Sequence, residues 1–281
     1  MKLRLAAAVA VVGAAVGLAA PPARASALCP EGGVGAGGPL PGGNGPVDFG
    51  TIPEACGTPE LALRARGALL VASSMPDYYG SVLADAMLRG RRPVGTRGWL
   101  TVALDMVTFR YIDNAGIVAQ GWSFGPLTVA YDRTVVTSAR VALAAYARAL
   151  VPLDTARQNS LEAGLELGAS TRVRLGARWA FDGGAALAAP LDVTGGQPHA
   201  QLQPVALGEA WFAPRPTVAL AAGAALKLQA APTFSLVTLA PRATARFALR
   251  HHFWAALLVE VPVVGSDRTD LVGSLFLGLG P

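Results

Sequence analysis

Three features of this 281-residue sequence predict an all-β fold, a closed antiparallel transmembrane β-barrel of about twelve strands. Apolar and polar residues alternate with period two along most of the chain. The alternating segments are long, mostly 9–15 residues, where strands of ordinary globular proteins average about 5–6. A secretory leader precedes them. Composition points the same way. The chain is 52% hydrophobic but only 15% charged, well below the roughly 25% charged share of a soluble domain. Beyond the leader, no apolar run of about 18 residues escapes a charge, a proline or a polar break, which disfavours membrane helices. The 33 glycines have no three-residue period, which excludes collagen, and the low charge excludes a disordered solvating chain.

Residues 1–27 read as a signal peptide. Lys2 and Arg4 supply the positive start, Leu5 to Ala20 the apolar stretch, and Ala25-Ser26-Ala27 a small-x-small cleavage site. Leu28 before Cys29 argues against lipidation. Cleavage removes Lys2, Arg4 and Arg24, so the net charge falls from +5 to +2, 20 basic minus 18 acidic. The basic balance therefore implies no nucleic-acid partner, and the remaining arginines form no run in sequence.

Residues 28–58 are expected to form a Gly/Pro-rich periplasmic extension. Cys29 and Cys56 flank it, and in an oxidising compartment a disulfide between them is the default. It would stabilise by about 3 kcal/mol in the chain-entropy view. Gly33, Gly35 and Gly38 match a dinucleotide-binding glycine pattern by accident, since no strand precedes them and prolines follow.

The barrel is expected over 59–281. Its first segment, 61–73, sets Leu61, Leu63 and Ala65 against Arg64 and Arg66. The second, 81–90, has a helical competitor in which Asp77 caps Tyr78 to Arg89. Segments 99–112, 122–132 and 138–151 follow. In 160–168, Leu161, Ala163, Leu165 and Leu167 oppose Glu162 and Glu166. A turn at Ala169-Ser170 then leads into 171–182, where Val173, Leu175, Trp179 and Phe181 oppose Arg172, Arg174, Arg178 and Asp182. The remaining segments are 201–212, 216–228, 234–248, 253–264 and 270–280. Short connections are expected on the periplasmic side and longer ones outside. Ala213-Pro214-Arg215 and Arg250-His251-His252 fit the first kind, and Gly183 to Ala200 the second. Two connections blur the rule: Gln229 to Thr233 is short for an external loop, and Arg91 to Gly98 is long for a turn.

Alternation alone also fits a soluble β-sandwich, which buries its apolar faces. The leader, the segment lengths and the placing of tryptophan favour a membrane. Trp99, Trp122, Trp179, Trp211 and Trp254 all lie near segment ends, as interfacial aromatic girdles require. The polar set then faces the lumen: Arg64, Arg66, Arg140, Arg148, Arg172, Arg174, Arg178, Lys227, Arg242 and Arg246 on the basic side, and Glu162, Glu166, Glu209 and Glu260 on the acidic side. An arginine turned to the bilayer midplane costs about 2–4 kcal/mol, and a one-residue slip would turn several at once.

These alternating hairpins, and the terminal Leu271-Val272-Gly273-Ser274-Leu275-Phe276-Leu277-Gly278-Leu279, resemble bacterial outer-membrane β-barrel proteins of the single-chain, porin-like or transporter-like kind. The family ends in an aromatic residue, whereas this chain ends Leu279-Gly280-Pro281. The resemblance implies outer-membrane lipid and the barrel-insertion machinery as partners, and residence in the bacterial outer membrane.

The expected function is a passive channel or small-solute transporter with an Arg-rich lumen, the Arg excess favouring a small anionic solute. The alternative is a structural barrel with a filled or plugged lumen. No enzyme is expected: there is no nucleophile-elbow motif, no zinc-protease motif and no cysteine cluster. His199, His251 and His252 read as solvated polar residues, so no metal or cofactor is expected either.

Overall fold

A computed structural model describes residues 60–279, apart from connecting positions at 73–78, 96, 115–116, 124–125, 139, 152, 154–161, 195–196, 201, 216, 232–233, 251–252 and 264–270. The leader and the extension with Cys29 and Cys56 lie outside the described residues.

The described chain is all-β. In order, its strands are β1 (Glu60–Ala72), β2 (Tyr79–Val94), β3 (Gly98–Asn114), β4 (Ile117–Ser123), β5 (Leu127–Thr137), β6 (Val141–Val151), β7 (Glu162–Arg174), β8 (Trp179–Thr194), β9 (Gln197–Ala200), β10 (Gln203–Arg215), β11 (Val218–Ala231), β12 (Phe234–Arg250), β13 (Phe253–Glu260) and β14 (Leu271–Leu279). They form one antiparallel sheet in which sequence neighbours pair. β4 and β9 are short returns on β3 and β8. β5 takes over from β4 along β3, and β10 takes over from β9 along β8. β1 pairs with β14 as well as with β2.

The two edges of the sheet differ. At one, strands reverse through 95–97, 138–140, 175–178, 216–217 and 251–252. At the other lie 73–78, 152–161 and 261–270, the β3–β4 and β8–β9 hairpins, and one short connection, 232–233. The short turns have local causes. Gly95 takes φ +68 between β2 and β3, a conformation open to glycine without steric cost. Ser138 staples the β5–β6 turn, its Oγ accepting from Val141 N at 3.0 Å and Arg140 N at 3.3 Å.

Several expected boundaries move. Ser81 to Gly90 is strand, inside β2, where both neighbours β1 and β3 supply ladder partners. A helix there would leave two strand edges unpaired. Ala169-Ser170 is no turn. It pairs with Ala145 and Ala144 on one side and with Ala185 and Gly184 on the other, and the reversal falls at Leu175 to Arg178 around Gly176. Arg172 and Arg174 thus end β7, and Asp182 belongs to β8. Even positions stay on one face across the reversal because the last pair, Arg174 and Ala180, has an odd number of residues, five, between its members. Gly183 to Thr194 continues β8 where a loop was expected. β2 runs on to Val94, so the Arg91–Gly98 connection shrinks to a tight turn. The 122–132 segment is interrupted before Leu127.

Burial is inverted relative to a soluble domain. Leu165, Leu167 and Leu175 are each about two-thirds exposed, and Phe181, Leu187, Leu220, Leu257 and Leu275 are exposed with them. Strand neighbours of opposite parity such as Glu166, Ala180, Asp182, Ala219, Ala221, Ala256 and Leu258 are buried, charged residues included. A sandwich requires the reverse, with Leu175 and Phe181 dry and Arg172 wet; Arg172 is 1% exposed. One patch departs from the pattern: Val102 and Leu104, on the apolar face, are buried against Leu88, Leu100, Met106, Leu127 and Leu153.

Candidate functional site

The buried face carries the candidate chemistry, and register sets who meets whom. On β8, Asp182 stands opposite Arg172 of β7 and opposite Glu209 of β10. The row continues through Gly223 of β11 and Arg242 of β12 to Glu260 of β13. Arg172 grips Asp182 with two nitrogens, Nε at 2.6 Å and Nη2 at 2.5 Å, the fork geometry that suits guanidinium to carboxylate. Arg242 holds two acids, Glu209 at 2.8 Å and Glu260 at 3.3 Å. Glu209 must cross β11 to reach Arg242, and Gly223 is the crossing point. A Cβ there would lie 2.8 Å from Glu209 Cγ, so only glycine leaves the path open.

Two further pairs line the same face. Arg148 of β6 meets Glu166 of β7 at 3.3 Å, and Arg91 of β2 meets Asp132 of β5 at 2.5 Å. Buried charges need such partners, because removing one leaves the other desolvated and uncompensated. Aromatic rings lie among them. Tyr146 spreads over Gly168, whose Cβ would be 2.6 Å from the ring, and Arg148 stands 5.4 Å from the Tyr146 ring centre. Trp211 sits against Ala180, Ala213, Ala219 and Ala221, with the Arg246 guanidinium 4.5 Å from its ring centre, a cation–π distance. One design recurs: a large side chain lies flat across a glycine or alanine of the next strand.

The expected lumen residues divide as follows. Arg148, Glu166, Arg172, Glu209, Arg242 and Arg246 are buried. Arg174, Lys227 and Glu260 are half-buried on the same face. Arg140 and Arg178 are corrections: both are exposed in short turns, because the strands end before them. Arg64, Arg66 and Glu162 lie in β1 and β7, with Arg66 in register with Asp85; their side chains fall outside the described ones. The expected turn at Ala169-Ser170 would set Glu162 and Glu166 on one strand and Arg172 and Arg174 on the next, but all four share β7.

The girdle needs a larger correction. Trp122 is 64% and Trp179 50% exposed on the apolar face, stacked respectively on Phe109 at 4.7 Å and Phe212 at 4.6 Å. Trp211 and Trp254 are instead buried on the charged face. Trp99 belongs there as well, in register with Asp132 and 5.5 Å from Arg91. Parity carried the signal: Glu209 and Trp211 are two residues apart, as are Trp254 and Ala256, so each pair shares a face. Arg89 and Arg91 are both buried; Arg91 lies beyond Gly90, where the second segment was expected to end, and Arg89 lies inside that segment, whose helical competitor left it without an assigned face.

No family model matches the sequence, and no curated protein sequence matches it. Among solved structures, the chain is similar to an outer membrane channel from Pseudomonas putida F1, at TM-score 0.63 and 14% identity over 85% of this chain and 100% of that one. It is also similar to the translocator domain of the autotransporter NalP from Neisseria meningitidis, at TM-score 0.53 and 8% identity over 79% of this chain and 88% of that one. The β domain of the Bordetella autotransporter BrkA aligns at TM-score 0.50 and 12% identity, over 80% and 99%. Identities this low speak to fold alone. The fold of this chain is that of the bacterial outer-membrane β-barrels.

Proposed function

We propose that the chain is an integral outer-membrane protein whose sheet closes as a barrel of twelve strands and passes small solutes passively. Inverted burial carries this reading: leucines outward, ion-paired arginines inward. Hydrocarbon would reward the first and exclude the second. The pairings of β10 with β8 and β11, and of β1 with β2 and β14, support closure, as does the cost of a raw strand edge in lipid. The proposed solute is a small anion. Among buried charges, Arg89, Arg91, Arg148, Arg172, Arg242 and Arg246 outnumber Asp132, Glu166, Asp182 and Glu209, and charged linings set pore selectivity. The leader at 1–27 and the disulfide-bearing extension belong to the same proposal, and no catalytic step does.

Purified protein in a planar bilayer tests it. Defined unitary conductance, with a reversal potential displaced toward the chloride equilibrium potential, is the expected result. No unitary events in any lipid would refute the channel.

A second reading, a filled structural barrel, is favoured by the same ion pairs and by the buried Trp211 and Trp254. Deleting 28–58 separates the two when the intact protein is silent. Conductance that appears on deletion assigns the blockage to the extension, and continued silence assigns it to the wall.

A further inference from the structure

Among the charged residues whose side chains are described, every exposed one is an arginine: Arg97, Arg133, Arg140, Arg178 and Arg215. All the described acids whose side chains are placed, Asp105, Asp132, Glu166, Asp182, Glu209 and Glu260, are buried or half-buried. The five arginines also share one edge, the edge of the short turns. Backbone hydrogen bonds string them into an arc. Thr134 N, beside Arg133, donates to Arg97 O at 2.9 Å. Arg174 N, at the start of the β7–β8 turn, donates to Arg140 O at 2.8 Å, and Ala213 N, near Arg215, donates to Arg178 O at 2.9 Å. The arc runs unbroken from the β2–β3 turn to the end of β10.

Its surroundings say what it faces. Arg133 lies between Tyr131 and Val135 on the exposed apolar face, and Arg178 adjoins Trp179; these three neighbours are 42%, 51% and 50% exposed. Cations set where an apolar band ends, among half-wet aromatics, stand at the headgroup level of a bilayer. Guanidinium favours phosphate through its planar fork. A soluble acidic partner would not need the apolar neighbours.

We propose that this arc binds the phosphates of anionic phospholipids in the leaflet at the short-turn side, anchoring that rim of the barrel. The inference rests on the membrane-barrel reading above. It goes further in naming a lipid class and the residues that select it.

The test uses the full-length protein folded into vesicles of phosphatidylcholine with increasing brominated phosphatidylglycerol, or brominated phosphatidylcholine as reference. Bromine quenches tryptophan, and Trp179 reports from within the arc. Stronger quenching by the anionic lipid is expected, amounting to a preference of about fivefold if one arginine's worth of attraction is gained. The double variant Arg178→Gln/Arg215→Gln should lose most of it, as should 0.5 M salt. A gel shift between unheated and boiled samples confirms that wild type and variant have folded. Folded wild type with equal quenching by the two lipids overturns the inference and leaves the barrel standing. Failure to fold into any vesicle overturns both. Arginine-dependent binding of polyglutamate in detergent, with no lipid preference, assigns the arc to an acidic protein and also overturns it.

Discussion

Gly223→Ala and Gly168→Ala look alike in sequence and should differ in kind. At Gly168 the three nearest atoms to an added methyl all belong to the Tyr146 ring, at 2.6–2.7 Å. A ring can swing. At Gly223 the added methyl collides with the Gly208 carbonyl oxygen and lies 2.7 Å from Glu209 Cα. Those are backbone atoms of a paired strand, and they move only if the β10–β11 ladder moves. Overpacking of this sort costs about 1–3 kcal/mol. Displacing Glu209 from Arg242, a pair 1% and 7% exposed, adds to it, since breaking a buried pair costs about 3–5 kcal/mol. A combined loss of about 4 kcal/mol, the low end of the two together, lowers an unfolding midpoint by about 8–16 °C in a domain of this size. The assay is the temperature at which folded protein in detergent converts to the slower or faster gel band of the boiled form. Double-mutant cycles make the distinction. The Gly168→Ala penalty should shrink in a Tyr146→Ala background, whereas in a Glu209→Ala background the Gly223→Ala penalty should fall only to its backbone-overpacking part, about 1–3 kcal/mol, and not vanish. Gly121→Ala, with nothing within 4 Å, is the silent control. The reasoning is refuted if Gly223→Ala matches Gly121→Ala, or if Glu209→Ala rescues it.

Other substitutions probe the two faces and the turns. Leu167→Arg, at a site two-thirds exposed on the apolar face, should cost about 2–4 kcal/mol near the midplane and cut the folded fraction in vesicle-refolding assays. An unchanged yield would place that face in water. Asp182→Ala should destabilise by about 3–5 kcal/mol by stranding Arg172, and Arg172→Met with Asp182→Leu should recover most of it, measured by the same band shift; a double variant as weak as the single one contradicts this. Gly95→Ala, whose φ is +68 with open space around it, should cost about 1 kcal/mol through backbone strain alone, and Gly95→Asn less, because asparagine tolerates that conformation.

The period-two pattern made the architecture legible because a wall with one apolar and one charged face leaves alternation almost undisturbed. Arg172 and Asp182 were expected on one face, and they share one, although the turn between them at 175–178 was not expected. Turn positions were harder. Ala169-Ser170 looks like a reversal to an eye counting ten-residue strands, but nothing in alanine or serine forces one when partners wait on both sides. Tryptophan misled for a different reason. Its liking for interfaces is a statistical tendency, and at Trp211 and Trp254 parity outranked it. Who pairs with whom was the least legible. Glu166 and Arg148 are 18 positions apart, Glu209 and Arg242 are 33, and only the register across a glycine brings the second pair together.

The β1–β14 ladder, from Leu61 opposite Leu279 to Leu69 opposite Leu271, joins the most distant segments of the described chain. All other neighbours along the sheet are closer in sequence, so this pairing bears the largest loop entropy of any among the described strands. Removing β14 would strip one partner each from β1 and β13, which makes this one strand the seam between the two ends of the described sheet.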